Sequence, residues 1–140
     1  MLIYLAGCMS EHDRLGYFKE ATEWRDQTST EFEGSHLKVF NPCINYNINK
    51  TFNSKGVVTQ NLAYLKQSDI VLLNLEKLEN SPGSLFEIFY AYLHDIPVIA
   101  FNNNYLWGVQ PHITESISIR VDKLEEALDY IWSMYSQDNK

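Results

Sequence analysis

The chain has 140 residues, enough for a single domain to bury about two-thirds of the surface of its unfolded chain without disulfides or metals. Hydrophobic residues make up 45% of the sequence and aromatic residues 14%, as in a globular protein, and no stretch is long and apolar enough to cross a membrane. The net charge of −7 disfavours binding to polymeric nucleic acid, which depends on clustered Lys and Arg, but it leaves small anionic ligands possible. We therefore expect one domain over residues 1–140, with no membrane and no nucleic acid as partner.

The first third of the chain predicts a β-α-β unit. Leu2 to Gly7 is an apolar strand, Asp13 to Phe32 has a helical mixture of apolar and charged residues, and Leu37 to Phe40 is a short strand closed by Asn41-Pro42. This order is typical of the start of a parallel sheet.

The middle of the chain continues the alternation. The Asn-rich segment from Cys43 to Lys55 lacks periodicity and predicts a loop, which is followed by a helix from about Val57 to Gln67. Ile70 to Leu73 is an unbroken aliphatic run, as expected of a strand buried on both faces.

The next helix has a clear start. Ser81 suits an N-cap and Pro82 suits the first helical position, after which Leu85, Ile88 and Phe89 recur at helical spacing. Glu87 then lies in an early turn, where the helix dipole favours a carboxylate by about 0.3–1 kcal/mol. A Glu in this place is most often solvated, but its aromatic neighbours argue against full solvation.

The last third adds two strands and a helix. Pro97 to Phe101 predicts a strand, Asn102 to His112 a loop, Ile117 to Val121 a fifth strand, and the chain from Asp122 onward a final helix. The whole order predicts an α/β fold: a doubly wound sheet of five parallel strands, flavodoxin-like, in a three-layer sandwich. Ligands of such folds bind beyond the carboxyl ends of the strands.

Several small or polar residues follow those strand ends: Gly7 after the first strand, Asn41 after the second, Asn74 and Gly83 after the third, and Asn102 after the fourth. Neither GxGxxG nor GxxxxGK[ST] occurs, which disfavours dinucleotide and P-loop sites. Cys8 and Cys43 belong to no CxxC pair, and the four histidines lack HxH or HxxxH spacing, so we expect reduced thiols, no metal and no cofactor. The apolar start is too short for a signal sequence and lacks a basic segment before it, which indicates a cytoplasmic location.

Four segments together resemble the nucleoside 2-deoxyribosyltransferase family: Ile3-Tyr4-Leu5-Ala6-Gly7, Asn41-Pro42, Ser68-Asp69-Ile70-Val71 and Gly83-Ser84-Leu85-Phe86-Glu87-Ile88. The most specific is the Gly-Ser-x-x-Glu helix start, followed by Tyr-Ala and Pro-Val-Ile. The resemblance spans most of the chain. It implies an enzyme that cleaves the N-glycosidic bond of a 2'-deoxynucleoside and transfers the sugar to another nucleobase.

The resemblance also implies residue roles. Glu87 matches the nucleophile that becomes esterified to the sugar, and Tyr4 matches the tyrosine that orients it. Tyr4 could equally be a core aromatic whose hydroxyl is satisfied elsewhere. The implied substrate contacts are Gly7, Asn61, Asn74, Ser81, Gly83 and Ser84.

Two positions depart from the family pattern. Asn61 stands where the family usually carries an Asp that contacts the departing base, and an amide cannot donate a proton by ionising. Ser81 stands where an Asp usually binds the sugar 5'-hydroxyl, and a hydroxyl at a helix start would tolerate a phosphate. Asn61 could instead face its neighbouring loop, and Ser81 could simply cap its helix.

The Ser81 departure resembles the related 2'-deoxynucleoside 5'-monophosphate N-glycosidases, which gives a hydrolase as the alternative function. A phosphate site of this kind needs a cation near Gly7. Arg14 is the nearest candidate, and Lys19 and Arg25 lie further along the predicted helix. An Arg on an amphipathic helix is, however, usually solvated. A third alternative is a nucleotide-binding module without activity.

The expected partners are a small nucleoside or nucleotide, a free nucleobase and further copies of the chain. The resemblance implies a homodimer or a larger homo-oligomer. We expect the segment from Tyr105 to His112 and the final helix, with Tyr130, Trp132 and Tyr135, to expose more apolar surface than a monomer of this size needs. Trp132 could instead seal the core of its own domain. In the two long loops, Tyr46, Phe52, Tyr105 and Trp107 could stack on a base or pack down as lids.

Overall fold

Five parallel strands form a single sheet in the order β2-β1-β3-β4-β5. In the computed structural model, which describes residues 1–9, 18–45, 54–103 and 110–135 (without the side chains of 18–20, 44 and 45), the strands are β1 Leu2–Ala6, β2 Lys38–Phe40, β3 Ile70–Asn74, β4 Val98–Phe101 and β5 Ile119–Arg120. This is the flavodoxin-like order that the alternating pattern predicts, and that prediction is confirmed.

In the described ranges, five α-helices flank the sheet: α1 Phe18–Glu31, α2 Ser54–Gln67, α3 Pro82–Leu93, α4 Pro111–Ser116 and α5 Leu124–Tyr135. Short 3₁₀ turns at Pro42–Asn45 and Leu78–Asn80 follow β2 and precede α3. The chain adds β2 on one side of β1 and then β3, β4 and β5 on the other. Because right-handed crossovers in opposite directions place their helices on opposite faces, both faces of the sheet are covered.

Side chains alternate between the two faces along β1. Tyr4 and Ala6 join the cluster that includes Leu65 of α2 and Ile88 of α3, whereas Ile3 and Leu5 join the cluster on the side of α1 and α5. The alternation follows from the two-residue period of a strand. It directs the Tyr4 ring toward α3, the helix that carries Glu87.

Two expected loops contain helical structure. The segment predicted as a loop from Cys43 to Lys55 begins with the Pro42–Asn45 turn, and α2 starts at Ser54 instead of Val57. The predicted loop from Asn102 to His112 ends in α4, because Oε1 of Gln110 accepts hydrogen bonds from the backbone N–H of His112 (2.7 Å) and Ile113 (3.2 Å). This side-chain cap starts a helix of six residues that has no periodic signal of its own. Residues 46–53 and 104–109 lie outside the described residues.

The final segments are shorter than predicted. The fifth strand covers Ile119–Arg120 instead of Ile117 to Val121, and α5 begins at Leu124 instead of Asp122. The backbone N–H groups of Ser118 and Val121 still donate to the carbonyls of Val98 (2.8 Å) and Ala100 (2.9 Å), so the residues on both sides of this short edge strand remain bonded to β4.

The aromatic residues of the final helix pack inward. The Trp132 ring lies 5.0 Å from that of Phe32, and its indole N–H donates to the Glu31 carboxylate at 3.0 Å. Tyr130, Trp132 and Tyr135 are all partly buried against the core, so the expectation that they form an exposed apolar surface is wrong. Exposed apolar side chains lie on several elements, and three of them are on α3, where Phe86 is 51%, Tyr92 55% and Leu93 74% exposed.

Among the described residues, no helix is long and apolar enough to span a bilayer. Cys8 and Cys43 are both buried free thiols. Nowhere in these ranges do three or more His, Cys, Asp or Glu side chains come together in a way that could hold a metal ion.

Candidate active site

Helix α3 begins at the predicted residues, but the predicted hydrogen bond of its N-cap side chain does not form. Ser81 is the N-cap residue and Pro82 occupies the first turn, as predicted. The Ser81 hydroxyl, however, makes no capping bond to a backbone N–H and donates to the Ser84 hydroxyl at 2.8 Å. The interpretation of Ser81 as a side-chain cap is therefore wrong, and the first turn of α3 presents two linked hydroxyl groups.

Glu87 and Tyr4 meet across the interface between α3 and the sheet. The Tyr4 hydroxyl donates a hydrogen bond to Oε2 of Glu87. Tyr4 is fully buried, and its ring packs 5.3 Å from that of Phe40, which in turn stacks on Tyr64 at 4.0 Å. These aromatic contacts hold the phenol in one direction, so the carboxylate has a fixed partner.

Burial dominates the electrostatics of this pair. Desolvation raises the pKa of Glu87 from 4.5 to about 7, against the lowering effects of the Tyr4 hydrogen bond and the positive charge of Arg25. Burial, and then the nearby Glu87 charge, raise the pKa of Tyr4 well above its usual range. Near neutral pH the tyrosine is therefore a pure donor, and the carboxyl group is divided between its acid and its nucleophilic form.

A cavity of about 270 Å³ opens above Glu87, near the lower end of the size range of small-molecule sites. Its described walls come from the end of β1 (Leu5, Gly7, Met9), from α1 (Arg25), from Pro42, from α2 (Val57, Val58, Asn61, Leu62, Leu65) and from the start of α3 (Ser81, Pro82, Gly83, Ser84, Phe86, Glu87). The cavity thus lies beyond the carboxyl ends of β1 and β2, as expected for this fold.

The structure brings six of the eight residues singled out in the sequence to the cavity wall: Gly7, Asn61, Ser81, Gly83, Ser84 and Glu87. Tyr4 lies behind the wall and reaches the site through Glu87. Asn61, on α2, is partly buried and supplies an amide opposite α3.

Asn74 is not brought to this cavity. Its Oδ1 accepts hydrogen bonds from the Glu76 backbone N–H (3.0 Å) and from the side chain of Asn102 (2.8 Å), and it borders a separate surface cavity between α1 and α5. The side chain is used to join the ends of β3 and β4, so its interpretation as a substrate contact has no support in the geometry.

Arg25, a candidate cation more distant in sequence from Gly7 than Arg14, lies in the wall of the cavity. Instead of being solvated on α1, it is 1% exposed and lines the same cavity as Glu87. Nη2 donates to the Gly7 carbonyl at 3.0 Å, Nη1 donates to the Ala21 carbonyl, and the guanidinium lies 4.6 Å from the Trp24 ring. The helical spacing of Ala21, Trp24, Thr28 and Phe32, all buried, was the available signal, because it places position 25 in the buried stripe.

Gly7 leaves the space that Arg25 occupies. A Cβ atom at Gly7 would lie 3.1 Å from the Trp24 ring, 3.2 Å from Asn74 Cβ and 3.5 Å from Nη2 of Arg25. The first two distances are tighter than ordinary contacts, so a larger residue would press on the ring and displace the guanidinium. Arg14, the nearest cation in sequence, lies outside the described residues.

The fold and the cavity together define a flavodoxin-like α/β domain with a tyrosine-bonded carboxylate at a small cavity beyond the strand ends. The sequence matches the model of the nucleoside 2-deoxyribosyltransferase family over residues 3–118. The chain belongs to this family, which is enzymatic and acts on small nucleosides and nucleobases.

Two solved structures share the fold. One, described as a conserved protein from Enterococcus faecalis V583, superposes with a TM-score of 0.72 at 17% identity, covering 95% of this chain and 98% of that one. The other is a 2-deoxyribosyltransferase from the psychrotolerant bacterium Bacillus psychrosaccharolyticus, with a TM-score of 0.68 at 20% identity over 95% of this chain and 94% of that one. No curated protein matches the sequence.

Proposed function

We propose that the protein cleaves the N-glycosidic bond of a 2'-deoxynucleoside and transfers the deoxyribosyl group to another nucleobase. The observation that carries this proposal is the hydrogen bond from Tyr4 to Glu87 at the cavity wall, in a chain that belongs to the deoxyribosyltransferase family. The bond supports the roles of Glu87 as the nucleophile and of Tyr4 as the residue that orients it.

In the proposed reaction, a carboxylate oxygen of Glu87 attacks the anomeric carbon as the bond to the base nitrogen breaks. The bonding electrons leave with the base, and the sugar becomes an ester of Glu87. A nitrogen of the second base then attacks the same carbon and releases the carboxylate. Two displacements restore the original configuration, and each passes through an oxocarbenium-like transition state that the carboxylate stabilises.

The cavity wall supports the remaining assignments. Gly83 and Ser84 on α3 and Gly7 at the end of β1 would contact the sugar, and Asn61 across the cavity would contact the base. The Asn61 amide offers a hydrogen bond but no ionisable proton, so the departing base would take its proton from elsewhere.

A second candidate is hydrolysis of a nucleoside 5'-monophosphate through the same Glu87. The observation that favours it is the Ser81–Ser84 hydroxyl pair at the first turn of α3, where hydroxyl donors and the helix dipole both suit a phosphate. Water would then replace the second base as the group that attacks the ester.

The test is a chromatographic assay of base release from 2'-deoxynucleosides and their 5'-monophosphates, with and without a second free base. A new nucleoside that forms only when the second base is present supports the transferase. Free base from the monophosphates alone supports the hydrolase. In either case Glu87→Ala is expected to abolish the reaction. Binding without base release, unchanged in Glu87→Ala, would contradict both and favour a binding module.

Assembly into a homodimer or a larger oligomer stays a prediction, as does a cytoplasmic location. Part of the exposed apolar surface, formed by Phe86, Tyr92 and Leu93, lies on α3, the helix that carries Glu87. Gel filtration with light scattering tests the assembly, and a monomer at micromolar concentration would count against it.

A further inference from the structure

Arg25 is almost fully buried, and not all of its hydrogen-bond donors have a partner. A buried guanidinium costs several kcal/mol unless its charge and its donors are matched. Two of its nitrogens donate to the Gly7 and Ala21 carbonyls, yet Nε is buried and has no hydrogen-bond partner among the described groups. An apolar side chain of similar volume would avoid this cost. We therefore looked for a group in the site on which the positive charge acts.

The charged and titratable groups near Arg25 show on which group its positive charge can act. From β1 and its end come Tyr4 and the buried thiol of Cys8, and from the turn after β2 comes Cys43. Burial raises the pKa of Cys43 and of Tyr4, so both are neutral near pH 7. The exposed Asp26 on α1 also raises the pKa of Cys43 through its negative charge. From α2, the cavity wall receives Asn61, which is uncharged.

Glu87, on α3, is therefore the carboxylate that shares the cavity wall with Arg25 within the described ranges. No direct ion pair joins them there: the guanidinium is held by the two carbonyls, and the carboxylate is held by Tyr4. The cation thus acts on Glu87 through space, in a cavity wall of low polarity where charges are weakly screened.

We propose that Arg25 is a positioning residue for Glu87: its buried positive charge favours the ionised form of the carboxylate in the empty site, while Gly7 and Trp24 hold the guanidinium in place. The proposal rests on Glu87 being the nucleophile of the proposed function. It differs from a phosphate-binding role, in which the guanidinium would contact the ligand directly.

The experiment follows the titration of Glu87 by carbon-13 NMR of labelled glutamate, with the signal assigned by its loss in Glu87→Gln. Arg25→Gln keeps donors for the carbonyls but removes the charge, and its Glu87 midpoint is expected about one pH unit or more above that of the wild type. Arg25→Lys, which keeps the charge, is expected to stay much nearer the wild-type midpoint. Arg25→Met replaces Arg25→Gln should the latter fail to fold.

Thr28→Val is the matched control. Thr28 is fully buried on the same helix and donates to the Trp24 carbonyl at 2.8 Å, so its loss weakens α1 without changing a charge. We expect it to lower stability and leave the Glu87 midpoint in place. Equal midpoints in wild type and Arg25→Gln, or an equal shift in Thr28→Val, would overturn the proposal.

The acidic limb of the pH profile of kcat/KM gives a second readout, expected to move upward by the same amount in Arg25→Gln. Absence of base release in the wild type would instead refute the proposed function. The NMR titration would then still decide whether Arg25 controls the ionisation of Glu87, so the two failures are distinguishable.

Discussion

The Tyr4 hydroxyl donates a hydrogen bond to the Glu87 carboxylate, although 83 residues separate the two positions in the chain. Tyr4 comes from the middle of β1, and Glu87 comes from the second turn of α3. The bond fixes the direction of the carboxylate and favours its ionised form, against the effect of burial. The proposed nucleophile and the donor proposed to orient it are thus in contact in the structure without a ligand.

Replacement of Tyr4 tests this relationship. Tyr4→Phe keeps the ring between β1 and Phe40 but removes the donor, and a hydrogen bond to a charged group is worth about 1.5–3 kcal/mol. We expect kcat/KM below pH 7 to fall about tenfold or more. Tyr64→Phe is the control, since Tyr64 also packs against Phe40, by stacking on its ring, but is not among the described residues that line the cavity. An equal loss in both variants would argue that the aromatic packing matters and the donor does not.

The pKa of Glu87 predicts opposite pH trends for activity and stability. Because the proposed nucleophile is the ionised carboxylate, activity should rise with pH through about 7. In the unfolded chain the group ionises near 4.5, so between 4.5 and 7 the folded state binds more protons. The stabilising contribution of Glu87 is therefore complete below about 4.5 and is lost as the pH rises through about 7.

The contribution of Glu87 to the free energy of unfolding that is lost between these pH values amounts to about 3 kcal/mol. Urea unfolding at pH 5 and pH 8 measures it, and Glu87→Gln should lack this part of the pH dependence while other titrating groups keep theirs. The same difference in free energy of unfolding in wild type and variant would contradict the raised pKa.

The two cavity glycines should respond differently to a methyl group. At Gly7 the added Cβ is too close to Trp24 and Asn74, so Gly7→Ala should reduce the free energy of unfolding by about 1–3 kcal/mol. At Gly83 the added Cβ meets nothing within 4 Å, and Gly83→Ala should leave stability unchanged or raise it by up to about 1 kcal/mol. Denaturant melts of the two variants decide this, and equal destabilisation would contradict it. Because Gly83 borders the cavity, its variant should also raise KM with little change in kcat.

Asn61 offers a test of how the leaving base is protonated. Asn61→Asp places an ionisable group on the α2 wall and should speed base release about tenfold or more at acidic pH, most for bases that leave poorly. Asn61→Ala, which removes the hydrogen bond without supplying a proton, should slow it. Single-turnover rates measured across a range of pH compare Asn61→Asp with Asn61→Ala. If Asn61→Asp is no faster than Asn61→Ala, position 61 has no role in proton transfer to the base.

Much of the architecture was predictable because it depends on local patterns. The aliphatic run from Ile70 to Leu73, the Ser81-Pro82 start of α3 and the alternation of strands with helices each act over a few residues, and together they indicate a parallel α/β sheet. The six-residue helix α4 escaped prediction because a single side chain, Gln110, caps it.

The sequence by itself determined the α/β class, the family pattern around Glu87 and the position of the candidate site at the strand ends, since strand period, helix start signals and motif spacing are properties of neighbouring residues. The tertiary structure alone decided that Arg25 is buried beside Glu87, that Ser81 bonds Ser84, that Trp132 seals the core, and that Asn74 is tied to Asn102. Burial, and the partner that a polar group finds there, depend on which distant segments pack together, and no local pattern contains that information.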